Sequence, residues 1–243
     1  MITFNRNGRL GNFLFQVAAC YGYAKKHNME YCVNPGDYLD LFPHLPIGEL
    51  STAKAVTYKD PNPHRYIELP YHKDVILEGF WQSYKYFEHC YDEVVDLFLF
   101  PKEQKKGVVG IHVRRGDYLQ YSQAFPPCPV HYYRRAVKAF TDNGITNFLV
   151  FSDDIEWCKK TFSAFEGVFE YRDGQTPLQD MHEMSTCEHQ IISNSSFSLW
   201  AALANRNKHK IVISPSAEFN WFGQLTGLYT LDMLPPYFIQ LKW

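Results

Sequence analysis

The segment Ile111-His112-Val113-Arg114-Arg115-Gly116-Asp117-Tyr118 closes an apolar run that begins at Val108. An apolar strand that stops abruptly in two guanidiniums, a glycine and a carboxylate carries its charge at the strand terminus. Adjacent arginines there have no packing role and repel each other unless an anion lies between or beside them. Arginine is favoured for planar, bidentate capture of phosphate oxygens. Side chains alternate across a strand, so His112 and Arg114 share one face and Arg115 points to the other. The pattern predicts one arginine for a ligand and the other paired internally, with Asp117 as a candidate partner. An exposed turn with two solvated arginines would read the same way, so the weight must come from the rest of the chain.

Downstream of this segment strands and helices alternate. The spacing Val130, Tyr133, Val137, Phe140 predicts a helix over Pro129–Asp142. It is followed by strand Phe148–Phe151, helix Ile155–Phe162, strand Val168–Tyr171, helix Leu178–Cys187, strand Gln190–Ile192, helix Ser196–Asn205 and strand Lys210–Ile213. Such alternation predicts an α/β protein with a parallel sheet flanked by helices. Upstream, strand Ile2–Asn5, the stretch Asn7-Gly8-Arg9-Leu10-Gly11-Asn12, a helix from Phe13 to His27 and a strand over Met29–Val33 read as the opening of a second Rossmann-type unit. Gly8 and Gly11 permit close backbone approach to a ligand, although their spacing is not the dinucleotide fingerprint. Residues Pro35–Pro70 read as irregular loop and short helix, Val75–Phe80 as a strand and Tyr84–Cys90 as a short helix. The stretch Pro101–Lys106 is the expected boundary, giving an N-terminal lobe over 1–105 and a C-terminal lobe over 106–243.

Composition narrows the function classes. Lys and Arg number 24 against 26 Asp and Glu, a net charge of −2, so no global field recruits nucleic acid or an anionic membrane, and any phosphate site must be local. The 17 Tyr and 19 Phe suit a sugar-facing cleft, yet a dense core is the default use of such rings. Six scattered cysteines form no metal or disulfide pattern and fit a reducing compartment. The first residues lack the apolar region of a signal peptide and no apolar run reaches membrane-spanning length. The expectation is a soluble, cytoplasmic protein of bacterial or viral origin.

Four polar clusters follow strands: the arginine segment, Ser152-Asp153-Asp154, Asp180 with His182, and Ser193-Asn194-Ser195-Ser196. Ligands gather beyond the carboxyl ends of strands in such sheets. The last cluster opens the apolar helix Phe197–Leu203, where hydroxyls and free N–H groups make an anion cradle. By itself it is an ordinary helix cap; beside an Arg-Arg strand end it favours a diphosphate. Asp153-Asp154 is read as a helix cap in preference to a metal site.

The blocks GRLGNFLFQVAACYGYAKK, LEGFWQSYKYF, IHVRRGDY, CPVHYYRRAV, FSDDIEWCK, LQDMHEMSTCEHQIISNSSFSLWAALAN and VISPSAEFNWF run from near the N-terminus to Phe222. In this order they resemble the α-1,2-fucosyltransferases, inverting glycosyltransferases of family 11 type that carry the H-x-R-R-x-D motif. The resemblance implies two Rossmann-like lobes in a B-type glycosyltransferase fold, with GDP-β-L-fucose as donor, a glycan acceptor and no metal. It implies a donor-binding set of Gly11, His112, Arg114, Asp153, Asp180, Ser195, Ser196 and Phe197, and a catalytic set of Asn12, Arg114 and Asp117. Within these, Arg114 and the two serines would hold the diphosphate, Asp180 would accept hydrogen bonds from guanine N1 and N2, and the Gly8–Asn12 loop would close over the donor near the acceptor. Asp117 stands either as the acceptor base or as a residue that orients Arg115. The chain departs from the family pattern at Phe13, where Gln is usual, at Leu199, where Trp is common, and in its short 35–70 region.

Overall fold

The computed structural model describes residues 1–51, 54–60, 65–223 and 230–243. The chain forms two compact units, Met1–Leu99 with Leu228–Pro235, and Phe100–Gly227 with Pro236–Trp243.

In the N-terminal unit, β1 (Ile2–Asn5), β2 (Val56–Lys59) and β3 (Val75–Glu78) form a parallel sheet with β3 in the middle. Helix α1 (Leu10–His27) packs on it, and α2 (Tyr91–Leu97) follows two 3-10 turns at Tyr84–Tyr86 and Glu88–Cys90. Most of α1 is buried, including Phe13, Leu14, Phe15, Val17 and Ala18. Its end follows from the sequence: Lys25, Lys26 and His27 occupy the last turn against the negative pole, and Asn28 caps it in the left-handed region at φ 50°. Segment 230–235 is tied to this unit by Asp232, whose carboxylate accepts from Lys85 Nζ at 2.5 Å and from the Tyr66 amide at 3.0 Å.

Three expectations change here. Helix α1 starts at Leu10, so Gly11 and Asn12 lie in its first turn and not in a loop. Met29–Val33 makes only isolated bridges among the described residues, Ile2 to Tyr31 and Val33 to Ile47. The 35–70 region contains β2 and a 3-10 turn at Leu39–Leu41, while its residues 52–53 and 61–64 lie outside the described residues.

The C-terminal unit holds a six-stranded parallel sheet in the order β6-β5-β4-β7-β8-β9, formed by β4 (Lys105–Val113), β5 (Asn147–Ser152), β6 (Val168–Tyr171), β7 (Cys187–Ile191), β8 (Val212–Pro215) and β9 (Ile239–Leu241). This is the doubly wound order, in which winding reverses between the first and fourth strands. Here those strands are β4 and β7. Val109, Ile111 and Val113 pack with Tyr133, Val137 and Phe140 of α3 (Val130–Thr141) and with Cys158 and Phe162 of α4 (Ile155–Phe162). The other face meets α5 (Pro177–Thr186): a Cβ on Gly110 would come within 3.1 Å of Cys187 Sγ and 3.2 Å of Met184 Cγ. The apolar α6 (Ser196–Ala204) packs beside α5. Thr176 and Gln179 form a capping box with Pro177 at the first helical position, which fixes where α5 begins. Both units are Rossmann-like α/β folds with parallel strands.

Gly22 shows how closely α1 is docked, since a Cβ there would lie 2.2 Å from the Tyr86 carbonyl oxygen. Gly22→Ala gains about 1 kcal/mol of helix propensity. The clash with backbone outweighs it, and a net loss of about 1–3 kcal/mol is expected. Urea denaturation measures it, and an unchanged midpoint would mean the helix can shift at no cost.

Candidate active site

Val113 ends β4, and the alternation continues into the two arginines. Arg115 falls on the α4 side: its Nε donates to Asp154 Oδ2 at 3.0 Å and its guanidinium lies 4.1 Å from the Trp157 ring centroid. Asp154 also caps α4 by accepting from the Trp157 amide at 3.2 Å. Arg114 points to the other side. Its Nη2 donates to Asp117 Oδ1 at 2.5 Å, its Nη1 lies 2.8 Å from Asp153 Oδ2, and the Tyr118 ring is 5.5 Å from the guanidinium carbon.

Both arginines are ion-paired, internal pairing having been expected for one of them. One expectation is corrected by these contacts: Asp117 pairs with Arg114, not Arg115, because the 3-10 turn Asp117–Leu119 carries it back over the Arg114 side. Asp153 also accepts from the Arg115 amide at 2.8 Å. Gly116 makes room for it, since a Cβ there would come within 2.6 Å of Asp153 Oδ2. Two guanidiniums therefore face three carboxylates, leaving one excess negative charge.

His112 lies on the Arg114 side and links to the neighbouring strand. Its Nδ1 is 2.8 Å from Ser193 Oγ, and its ring stacks on Phe197 at 4.9 Å. Burial, with the Arg114 charge added, pushes its pKa down to about 3. His112 is thus a neutral ring near pH 7. Beyond Ser193, Asn194 clamps the surroundings: its Nδ2 donates to the carbonyls of Pro126 and Trp221, both at 2.9 Å, and its own carbonyl accepts from Tyr118 Oη at 3.0 Å. Ser195 caps α6 by accepting from the Phe197 amide at 3.3 Å. Ser196 and Phe197 are half-buried at the helix start.

Helices α5 and α6 both run back against the strand direction, so their first turns lie at the carboxyl end of the sheet. Asp180 sits in that turn of α5 with Oδ1 buried and without a hydrogen-bond partner among the described residues. The cation within reach is spent elsewhere: Glu183 accepts from Arg172 Nε at 2.8 Å and Nη2 at 2.9 Å, and also pairs with Lys105. Burial opposes ionisation of Glu183, but those donors prevail and hold its pKa at about 2. Burial, then the Glu183 charge, pushes Asp180 up to about 6.

The N-terminal unit carries its own polar group at the carboxyl end of β1. Gly8 is left-handed at φ 81° with Asn12 packed against it, and Asn12 Oδ1 accepts from Gln82 Nε2 at 2.5 Å. Fully buried Gln16 donates to the Gly79 carbonyl at 2.7 Å and accepts from the Asn7 amide at 3.4 Å. Nothing in local sequence marks Gln16 or Gln82, which matter through contacts distant in sequence. Trp157 is likewise invisible as a partner for Arg115, although strand alternation indicates the side on which to look.

A doubly wound sheet whose switch point gathers an arginine pair and a serine-rich helix start, joined to a second Rossmann-like unit, is the architecture of B-type glycosyltransferases. The Glycosyl transferase family 11 model matches residues 58–223, and the chain belongs to that family. It is 33% identical over 184 residues to an alpha-1,2-colitosyltransferase of Escherichia coli, covering 68% of this chain and 61% of that protein. It is 25% identical to a galactoside 2-alpha-L-fucosyltransferase of Bos taurus, covering 94% and 75% of the two chains. A further Escherichia coli relative, the O-antigen biosynthesis glycosyltransferase WbnK, is covered over 54% of its length, so the chain spans less than two thirds of either of these bacterial relatives. Among solved structures, a mutant of Arabidopsis thaliana FUT1 in complex with GDP aligns with TM-score 0.56 at 10% identity, over 96% of this chain and 74% of that one. Escherichia coli heptosyltransferase WaaC with ADP aligns with TM-score 0.53 at 11% identity, over 99% and 92%. At such identities the likeness concerns the fold. No helix among the described residues is long and apolar enough to cross a membrane.

The His112 environment makes a direct prediction. Its ring stays neutral and shows no titration between pH 5 and 8, followed by nitrogen-15 NMR of labelled histidine. A midpoint near the ordinary histidine value of about 6.5 would mean that water reaches the ring.

Proposed function

We propose that the protein is an inverting glycosyltransferase that moves L-fucose from GDP-β-L-fucose to O-2 of a galactose-type sugar, in α-1,2 linkage. The observation that carries this is the meeting of Arg114 and the Ser193–Ser196 turn on adjacent strands at the switch point, bridged by His112 and Ser193. In an inverting transfer the acceptor oxygen bonds to the anomeric carbon as the glycosidic bond breaks, negative charge grows on the leaving diphosphate, and the departing phosphate takes the proton of the acceptor hydroxyl. A preorganised guanidinium and helix-start donors stabilise that charge. Ser195 Oγ accepts from an amide and keeps its O–H to donate to a phosphate oxygen. No step in this scheme is assigned to a metal.

In this scheme Arg114 binds the diphosphate through the N–H groups that Asp117 and Asp153 do not use. Asp117 and Asp153 are positioning residues that fix its plane. A neutral His112 with Phe197 packs beside the nucleotide without adding charge. Asp180, an acceptor left without a donor, receives guanine N1 and N2. Gly11 and Asn12 belong to the acceptor side, in the N-terminal unit, where Gln82 holds the Asn12 amide for the accepting sugar. The name of the 33%-identical relative supports a second reading in which another GDP-deoxyhexose is the donor. A donor panel with galactose-terminated acceptors separates the two, with NMR of the product reporting linkage and EDTA expected to leave the rate unchanged.

Arg114→Ala is expected to slow transfer by roughly 10²–10³-fold, the usual effect of deleting one such group. GDP release in the presence of acceptor measures it, and a wild-type rate removes the assigned role. For Asp180, guanine binding requires the carboxylate, so GDP affinity should hold above pH about 6 and fall below it as Asp180 protonates. Asp180→Asn should weaken GDP binding roughly tenfold or more. Because the raised pKa means that Asp180's contribution to stability is lost as pH rises through about 6, the same variant should melt at higher temperature at pH 7. Calorimetric titration with GDP and thermal melting check both, and unchanged GDP affinity would release Asp180 from the nucleotide.

A further inference from the structure

Arg6 follows the last residue of β1, at the ligand end of the N-terminal sheet. It is half-buried and makes no ion pair with any described residue. Its Nη2 donates to the Asn34 carbonyl at 3.1 Å, and its guanidinium carbon lies 5.3 Å from the centroid of the fully buried Phe13 ring. Asn34 is itself pinned to β1, with Nδ2 donating to the Phe4 carbonyl at 3.1 Å and Oδ1 accepting from Thr3 Oγ1 at 3.2 Å. Gly36 leaves the space the guanidinium fills, since a Cβ there would come within 2.6 Å of Arg6 Nη1. The head group is thus fixed by a ring, a carbonyl and a glycine, while its other N–H groups have no acceptor among the described residues. Tyr38 completes the surroundings: its ring is 5.6 Å from that of Phe13, it is half-buried, and it holds φ at 70°, a costly value for a tyrosine.

A half-buried cation without a counter-charge pays desolvation for no internal return. In the C-terminal unit Arg114, Arg115 and Arg172, half-buried like Arg6, all face carboxylates. We infer that Arg6, with Tyr38 packed on the same Phe13 ring, is an acceptor subsite for an anionic group, so that the accepting glycan is acidic, with a carboxylate or phosphate next to the sugar that receives the transfer. A fixed guanidinium takes such a group in a bidentate fork, and an adjacent half-exposed ring offers a face to a pyranose. This deepens the fucosyl-transfer reading and rests on it for the word acceptor; the anion site itself does not.

Two readouts keep the questions apart. The first is binding, by saturation-transfer NMR and calorimetry, of a galactose-terminated disaccharide, its uronic-acid counterpart and its phosphate ester, to the wild type, Arg6→Gln and Arg6→Lys. The wild type should bind at least one charged sugar ten times or more tighter than the neutral one. Arg6→Gln should remove that preference with neutral binding unchanged, Arg6→Lys should keep part of it, and GDP affinity should be the same in all three. The tighter of the two charged probes identifies carboxylate or phosphate as the group recognised. No preference in the wild type, an equal loss for charged and neutral sugars, or weakened GDP binding in Arg6→Gln overturns the subsite. The second readout is GDP release from GDP-fucose. If no acceptor elicits it, the transfer reading fails, while the charge preference in binding still decides the role of Arg6.

Discussion

Strands β4 and β7 lie side by side with Ile111 opposite Ile191, and the chemistry of the C-terminal unit depends on that pairing. It brings the residues after Val113 and those after Ile191 out on the same edge of the sheet. One short polar contact, His112 Nδ1 to Ser193 Oγ, then locks the two exits together. The pairing is possible because Gly110 lets α5 settle against the strand, with Met184 and Cys187 filling the space a side chain would need. A substituent there would lift α5, and the first turn that carries Asp180 would move with it. Close packing in the middle of the sheet therefore sets the geometry at its end.

The charge balance at that edge has a physical consequence. Two arginines next to each other in sequence would repel, and the fold separates them by strand alternation and gives each its own carboxylates. Asp153 serves both, taking Arg114 Nη1 on one oxygen and the Arg115 amide on the other. The arrangement holds the Arg114 plane rigid before any ligand arrives, which is the condition for a guanidinium to stabilise developing charge without reorganising. It also exacts a cost, because an incoming anion meets carboxylates as well as the cation. The neutral His112 fits that balance: a charged imidazole between Arg114 and the serines would be paid for in desolvation, and burial removes its proton instead.

Much of this was legible in the sequence, for reasons that differ by element. The Val130–Phe140 spacing and the apolar runs of β4 and β5 identify themselves because one face or both faces are buried, so periodicity records the packing. β2 and β9 do not, since Val56–Lys59 alternates half-buried and exposed residues and Ile239–Leu241 is three residues long on a sheet edge. The start of α1 was misplaced because Arg9 caps it without a side-chain bond and Gly11 reads as loop while being buried in helix. At the site, the residue types and their strand ends were readable from 111–118 and 193–196. The partner of Asp117 was not, because a 3-10 turn reverses its direction. Gln82 holding Asn12 and Trp157 beneath Arg115 are contacts across 70 and 42 positions, and no local pattern encodes them.

The two units use their arginines differently, and the difference bears on recognition. Where a guanidinium is paired internally, as with Arg114 and Arg115, its energy goes largely into holding its own position, and only the donors left over remain for a ligand. Where it is braced but not neutralised, as with Arg6 between Phe13, Asn34 and Gly36, the whole charge remains for an incoming anion. A half-buried site of the second kind gains most from binding a counter-charge, because the desolvation has already been met in folding. On the proposal that Arg6 meets the acceptor, the paired cation serves a diphosphate common to many donors, while the braced and unneutralised one at the end of the first strand serves discrimination among acceptors.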